Sequence, residues 1–269
     1  GVFIGQAEDA VIVASEPFGV VEDASAYLRM DGETPADPMN PTVSQGQIVR
    51  ISGAQAGDRV AITRFAYDGT PLPVDDTEWK APDVTTRDID RGDADHFLLK
   101  EISESPVSFA KTLRGRIVDI DGELEVRLPA ETMPDSVRRR ISSGEIKRIE
   151  VIGQGTAAVA GQAVSAAFDW ALRGTSIPVR AITATELSGF HLRDDMNDTL
   201  VIAISQSGTT TDTNRTVDLI RARGAVVLAI VNRRGSDLVD KSDGVLYTSD
   251  GRDVEMSVAS TKAFYAQIA

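Results

Sequence analysis

The sequence predicts an α/β protein whose second half is a doubly wound parallel sheet, preceded by a β-rich segment. Three observations carry this. From Ile149 onward apolar runs alternate with helical stretches. Those runs are near-continuous Val, Ile and Ala, as in strands buried on both faces. Before about Asp93 the runs are short and punctuated by Gly, Asp and Pro, and helix is scarce.

In the first stretch "VFIG", "AVIVAS", "GQIVRIS" and "RVAITRF" read as antiparallel strands, with "DGETPADPMNP" and "YDGTPLP" as turns. Such strands need a partner layer to cover one face. Between about Ala94 and Arg148 the pattern becomes helical. "DADHFLLKEISESPVSFAKTLRGRI" spaces Phe97, Ile102, Phe109 and Leu113 like a helix face, with Pro106 starting a second helix. "MPDSVRRRISSG" reads as a short helix ended near Gly144, so residues 94–148 are expected to form a linker of helices and turns. Beyond it, "RIEVIGQG" is a strand entering a Gly-rich turn, and "TAAVAGQAVSAAFDWALRG" a helix with small residues spaced for close packing. "PVRAITATEL" and "DTLVIAISQSG" are strands, "TTDTNRTVDLIRARG" a helix ending at Gly224, and "AVVLAIVN" and "DGVLYTS" strands.

The bulk properties bound the function. The 269 residues suffice for two domains, and 42% hydrophobic with 26% charged residues is the composition of a soluble globular protein. No apolar stretch approaches the length of a bilayer span, so no membrane partner is expected and a cytoplasmic location is the default. A net charge of -13 argues against nucleic acid as a partner, because phosphate backbones need a basic field. One small anion can still be held by hydroxyls and backbone N–H groups. The absence of cysteine removes disulfides and thiolate chemistry, and two histidines, His96 and His191, leave no histidine-rich metal site. No metal and no cofactor are expected. The chain opens on strand-like "GVFIGQ" without a methionine and closes on "ASTKAFYAQIA", a helix in progress, so a piece of a longer polypeptide is expected.

In an open parallel sheet ligands bind at the carboxyl ends of the strands. Two loops take that place, "GQGTAAVAG" and "SQSGTTTDT". In the second, Gly208 permits a tight turn and Ser205, Ser207, Thr209 and Thr210 carry hydroxyls at a helix start, which suits a phosphate. Helix capping explains one such loop equally well; two on adjacent strands favour the ligand. A Walker-type loop is excluded because no G-K-[ST] follows, and "GQGTAAVAG" fits the dinucleotide pattern only in part.

"SQSGTTTDT", "VASTKAFYAQ" at Val258 to Gln267, "GQGTAAVAG" and "HFLLKEISESP" at His96 to Pro106 resemble, in order and spacing, the glucosamine-6-phosphate synthases, the isomerising glutamine:fructose-6-phosphate aminotransferases. The resemblance covers most of the chain and is strongest from His96 onward. It implies that residues 1–93 are the C-terminal part of a class II glutamine amidotransferase (glutaminase) domain, 94–148 a helical linker, and 149–269 the first of two sugar isomerase (SIS) domains, truncated. Ser205, Gln206, Ser207, Gly208 and Thr210 match the positions that hold the sugar phosphate, and Gly155 and Thr156 lie in the Gly-rich loop that contacts the sugar. Val258 and Ser260 match a second sugar-lining stretch, and Glu186 matches a glutamate that could support the site. Lys262 is, on chemistry alone, a candidate Schiff-base amine. The family uses a lysine near its own carboxyl terminus, which leaves Lys262 a structural role at a helix start.

The implied ligand is fructose 6-phosphate or glucosamine 6-phosphate, with glutamine used at a missing part of the parent, and a homodimer is implied. Departures limit this. The family's C-G-T-S reads Gln154-Gly155-Thr156-Ala157, losing a hydroxyl, and S-G-E-T reads Ser207-Gly208-Thr209-Thr210, losing a carboxylate. The glutaminase cysteine is absent from this chain, and the proton-transferring glutamate and histidine belong to a second SIS domain. No residue of this chain is therefore expected to be catalytic; it supplies the sugar-phosphate-binding part. Two other readings stand beside it: a phosphosugar-sensing SIS module without turnover, and a deglycase of sugar-amine phosphates, which the β-rich segment disfavours. His96 is expected at a helix start, as cap or surface residue or, as the resemblance equally implies, reaching toward a neighbouring subunit; His191 is expected in an exposed loop, "RDDMND" as a solvated loop, and Trp170 in a core or interface.

Overall fold

Alternation along β1 (Val2–Gln6) sends Phe3 to one side and Ile4 to the other, and two hydrophobic clusters follow from that period of two. The computed structural model describes the chain apart from residues 1, 9, 16, 21–22, 31–32, 36–43, 53–60, 67–68, 83–89, 252 and 258–259. It divides into two units, Gly1–Asp90 and Arg91–Ala269. In the first, β2 (Val11–Ala14), β1, β3 (Ala26–Met30) and β8 (Trp79–Lys80) form one antiparallel sheet. A second is made by β4 (Glu33–Pro35), β5 (Ser44–Ser52), β6 (Ala61–Ala66) and β7 (Pro71–Leu72). Ile4, Leu28 and Met30 meet Val49 and Ile62 from the second sheet, so each sheet supplies the covering layer the other needs. On the opposite side Phe3 packs with Val20 and Ala24 and sets its ring edge-on to Tyr27, 5.7 Å between centroids. Most of the turn expected at "DGETPADPMNP" lies outside the described residues.

The second unit begins with α1 (Phe97–Leu113), one continuous helix with Pro106 inside it, where the sequence suggests two. Proline removes one intrahelical hydrogen bond; the helix is held by its packing on the chain's last segments, which overrides that local cost. Its buried residues are Glu101, Ser108 and Thr112, while Ile102 and Phe109 of the expected apolar face are exposed. Next, β9 (Ile117–Ile120) and β10 (Glu123–Val126) form a hairpin that the helix-and-turn expectation for this stretch omits. Its turn is Asp121-Gly122 with both φ positive, 56° and 88°, the geometry an Asp-Gly pair favours between strands. The short helix α2 (Asp135–Ser142) follows.

The remainder alternates as expected: β11 (Arg148–Gly153), α3 (Thr156–Ala171), β12 (Val179–Thr183), helical turns at Ala184–Glu186 and Leu187–His191, β13 (Thr199–Ser205), α4 (Thr211–Arg221), β14 (Val226–Val231), α5 (Asp237–Asp240) and β15 (Gly244–Tyr247). The five strands are parallel in the order β12-β11-β13-β14-β15. Every residue of β13 is buried. Leu200, Ile202 and Ile204 face a core shared with Ala157 and Val164 of α3, whereas Val201 and Ala203 face one shared with Val217 and Ile220 of α4. Each fully buried Leu, Ile or Val among them contributes roughly 1.5–3 kcal/mol. A charged pair sits within this sheet: Glu150 is buried and takes two hydrogen bonds, 2.9 and 3.2 Å, from Arg180 directly opposite on β12. The chain ends in α6 (Lys262–Ile268).

The acidic run "RDDMND" is a structural junction. Asp198 accepts hydrogen bonds from Arg193 and from Thr199 and pairs with Arg148. The Arg193 hydrogen bond, opposed by partial burial, holds its carboxyl below the ordinary value of 3.8. A lowered folded-state value stabilises the fold above the unfolded value, and that contribution is lost as pH falls through the folded one. Asp198→Asn is therefore expected to melt below the wild type throughout pH 5–7, with the gap closing below about pH 4. Melting curves across that range check it; a gap independent of pH would contradict the assignment.

Candidate functional site: a hydroxyl-lined pocket at the strand ends

The helices after β11 and β13 leave toward opposite faces of the sheet, α3 onto one core and α4 onto the other. The strand order reverses between these two strands, which opens a crevice at their carboxyl ends. A pocket of about 410 Å³ occupies it. The β11 loop contributes Gln154, Gly155, Thr156 and Ala157; the β13 end contributes Ile204, Ser205, Gln206, Ser207 and Thr210; Glu255, Ser257 and Ser260 form a third side.

Backbone geometry fixes both loops. Gly155 adopts φ 57°, ψ -129° just before α3, a conformation open to glycine and costly for other residues. Upstream, a Cβ at Gly153 would sit 2.8 Å from the Ala157 backbone, so glycine lets the helix start close against the strand. Gly208 has φ 66°, and a Cβ there would lie 2.0 Å from Ser236 Oγ. The carbonyl of Gly208 accepts from Leu238 N–H and from Asn214 Nδ2, each at 3.0 Å, and Gln206 C=O accepts from Asn232 N–H at 3.1 Å.

The hydroxyls are ordered as donors. Ser205, 3% exposed, accepts the Gly208 N–H at 3.0 Å, which leaves its own proton free to donate. Ser207 Oγ accepts from Thr209 N–H at 3.2 Å and Thr209 Oγ1 at 3.0 Å, with the same result. Thr210 Oγ1 stands 3.4 Å from Ser205 Oγ. Neither α3 nor α4 has a side-chain cap bond at its N-terminus, so the hydroxyl cluster is not there to cap helices. Both helices instead bring the positive ends of their dipoles to the pocket.

The third side was not foreseen in full. Glu255 accepts Ser260 Oγ–H at 2.8 Å through one oxygen, and Thr261 N–H at 3.0 Å and Ala263 N–H at 2.9 Å through the other. It thus satisfies the first turn of α6 and fixes Ser260 against the pocket. Glu255 and Ser257 were missed because an isolated acidic residue and a lone serine carry no periodicity; a carboxylate shortly before "STKAF" at a helix start was the available signal. Val258 lies outside the described residues. Lys262 is 5% exposed and its Nζ pairs with Glu104 at 2.7 Å, and it is not part of the pocket lining.

Glu186 is exposed in the helical turn beyond the edge strand β12 and is absent from the lining. His96 precedes α1, exposed and without a side-chain cap bond. His191 is exposed, in a helical turn rather than a loop. Trp170 is 66% exposed, not core, with Arg173 over its ring at 5.8 Å. Among the described residues no group of three or more His, Cys, Asp or Glu could hold a metal ion. No described helix is long and apolar enough to cross a membrane.

The chain that builds this sheet and crevice is similar to known proteins. Residues 145–269 match the SIS domain. Over most of its length the chain is a relative of the glutamine–fructose-6-phosphate aminotransferases (isomerizing). That of Streptomyces coelicolor is 38% identical over 231 residues, covering 84% of this chain and 33% of that protein. That of Corynebacterium diphtheriae is 34% identical over 273 residues, covering 98% and 37%. A solved C-terminal domain of glucosamine-fructose-6-phosphate aminotransferase from Francisella tularensis superposes with a TM-score of 0.52 at 28% identity, covering 66% of this chain and 46% of that one. The chain spans about a third of the length of the curated relatives it matches.

Gly208 tests the loop geometry directly. Gly208→Ala is expected to destabilise the protein by more than about 1 kcal/mol, since it adds a clash to a positive φ. Chemical denaturation measures this; a cost within a few tenths of a kcal/mol would mean that the turn is not held as described.

Proposed function

We propose that this chain is the sugar-phosphate-binding part of an isomerising glutamine:fructose-6-phosphate aminotransferase, gripping fructose 6-phosphate, or the glucosamine 6-phosphate product, in the strand-end pocket. The observation that carries the proposal is the donor arrangement around Ser205. Three hydroxyls converge on one crevice, two of them with their acceptor side filled by backbone N–H groups, beside two uncapped helix starts. Such donors suit the three terminal oxygens of a phosphate ester. Ser205, Ser207 and Thr210 would hold the phosphate together with the Gln206–Gly208 backbone. Thr156, Gly155 and Ser260 would face the sugar, and Ala157, in place of a hydroxyl, would retune its contacts. Lys262 would support the wall through Glu104.

By the same relationship we assign the release of ammonia from glutamine and the isomerising proton transfers to parts of the parent outside these 269 residues. The names of the relatives support glutamine as the nitrogen donor. A homodimer, a cytoplasmic location, and the assignment of residues 1–93 to the end of a glutaminase domain belong to this reading too.

Fructose 6-phosphate is expected to raise the melting temperature of the protein, and Ser205→Ala combined with Thr210→Ala is expected to remove the rise. Differential scanning fluorimetry reads both. An undiminished rise in the double variant would put the phosphate elsewhere, and no rise in the wild type would refute the proposed ligand.

A further inference from the structure

Helix α1 precedes the span that matches the SIS domain, residues 145–269, yet its buried face is polar and is turned on the pocket's third side. Glu101, 2% exposed, accepts the backbone N–H groups of Met256 at 2.6 Å and Ser257 at 3.1 Å through one oxygen. Its other oxygen has no hydrogen-bond partner among the described residues. One turn along, Glu104 takes the Lys262 ammonium at 2.7 Å and Ser105 Oγ donates to the Thr261 carbonyl at 3.3 Å. Two turns further, Thr112 Oγ1 accepts Ser249 N–H at 2.8 Å. Positions 101, 104, 105 and 112 lie on one helix face, and their partners are Ser249, Met256, Ser257, Thr261 and Lys262. The two amides held by Glu101 directly follow Glu255, so the carboxylate on α1 sets where Glu255 and Ser257 stand in the pocket.

We infer that Glu101 is a positioning residue of the binding pocket, acting from outside the SIS domain through the Met256 and Ser257 amides to place the wall that faces the sugar. This rests on the phosphosugar reading above. It separates two jobs: the Ser205 loop holds the phosphate, and the wall anchored by Glu101 recognises the carbons beyond it. A purely structural carboxylate would affect phosphate and sugar phosphate alike. A positioning one affects only the ligand that reaches the wall.

Isothermal titration of the protein with fructose 6-phosphate and, separately, with inorganic phosphate distinguishes these. Glu101→Leu leaves two part-buried N–H groups without their acceptor and is expected to weaken fructose 6-phosphate binding roughly tenfold. Its affinity for inorganic phosphate is expected to stay within about twofold of wild type, well short of a tenfold loss. Glu101→Gln is expected to restore the sugar phosphate affinity, because its carbonyl can accept both N–H groups while the amide takes the place of the unpartnered oxygen. Should the leucine variant fail to fold, Glu101→Asp withdraws the acceptor by one carbon and is expected to give a smaller loss of the same selectivity. Unchanged sugar phosphate binding in the variant that folds, or an equal loss for both ligands, would overturn the inference. A wild type that binds neither ligand would instead refute the phosphosugar reading on which it rests.

Discussion

Complete burial of β13 on both faces constrains the whole second unit. A strand with all seven residues buried needs a paired strand on each edge and a helical layer on each face. Parallel pairing to β11 and β14 supplies the edges, and α3 and α4, lying on opposite faces, supply the layers. The two helices therefore diverge from neighbouring strand ends. That divergence leaves a crevice which no core side chain fills. The pocket follows from the way the hydrophobic layers close, and in the loops bordering it hydrogen bonds such as that from Gly208 N–H to Ser205 Oγ offset the burial of polar side chains.

The same layering explains what was legible in the sequence. Near-continuous apolar runs such as "LVIAI" announce a parallel strand, and "SQSGTTTDT" and "GQGTAAVAG" behind two such runs announce the pocket's first two sides. The third side and its support were hidden. Helix α1 buries Glu101, Ser108 and Thr112 and exposes Ile102 and Phe109, the reverse of the usual amphipathic pattern. Periodicity identifies the helix; it cannot say that the polar stripe is the inward one, because that depends on backbone N–H groups more than a hundred residues away. The hairpin at Asp121-Gly122 was a different kind of omission, since a turn pair flanked by short alternating runs was present but lay inside a stretch dominated by helix signals.

Glu255 poses the sharpest question for a phosphate pocket in a chain of net charge -13. Two unit charges 4 Å apart repel by about 1 kcal/mol in water and about 4 kcal/mol at the effective dielectric of a protein surface. Against this, each hydrogen bond to a charged group contributes about 1.5–3 kcal/mol, and each helix terminus about 0.3–1 kcal/mol. Three convergent hydroxyls and two helix starts outweigh one carboxylate on those figures. The carboxylate is moreover engaged: Ser260 Oγ–H and the amides of Thr261 and Ala263 all point at it. Its charge is taken up within the wall, which leaves the Ser205 loop, whose spare valences are hydroxyl protons, as the part of the crevice matched to an anion. The pocket is then divided by its own hydrogen bonding into an end of hydroxyl donors around Ser205 and a wall centred on Glu255, and the proposed sugar phosphate would set its anion at the first and its neutral carbons at the second.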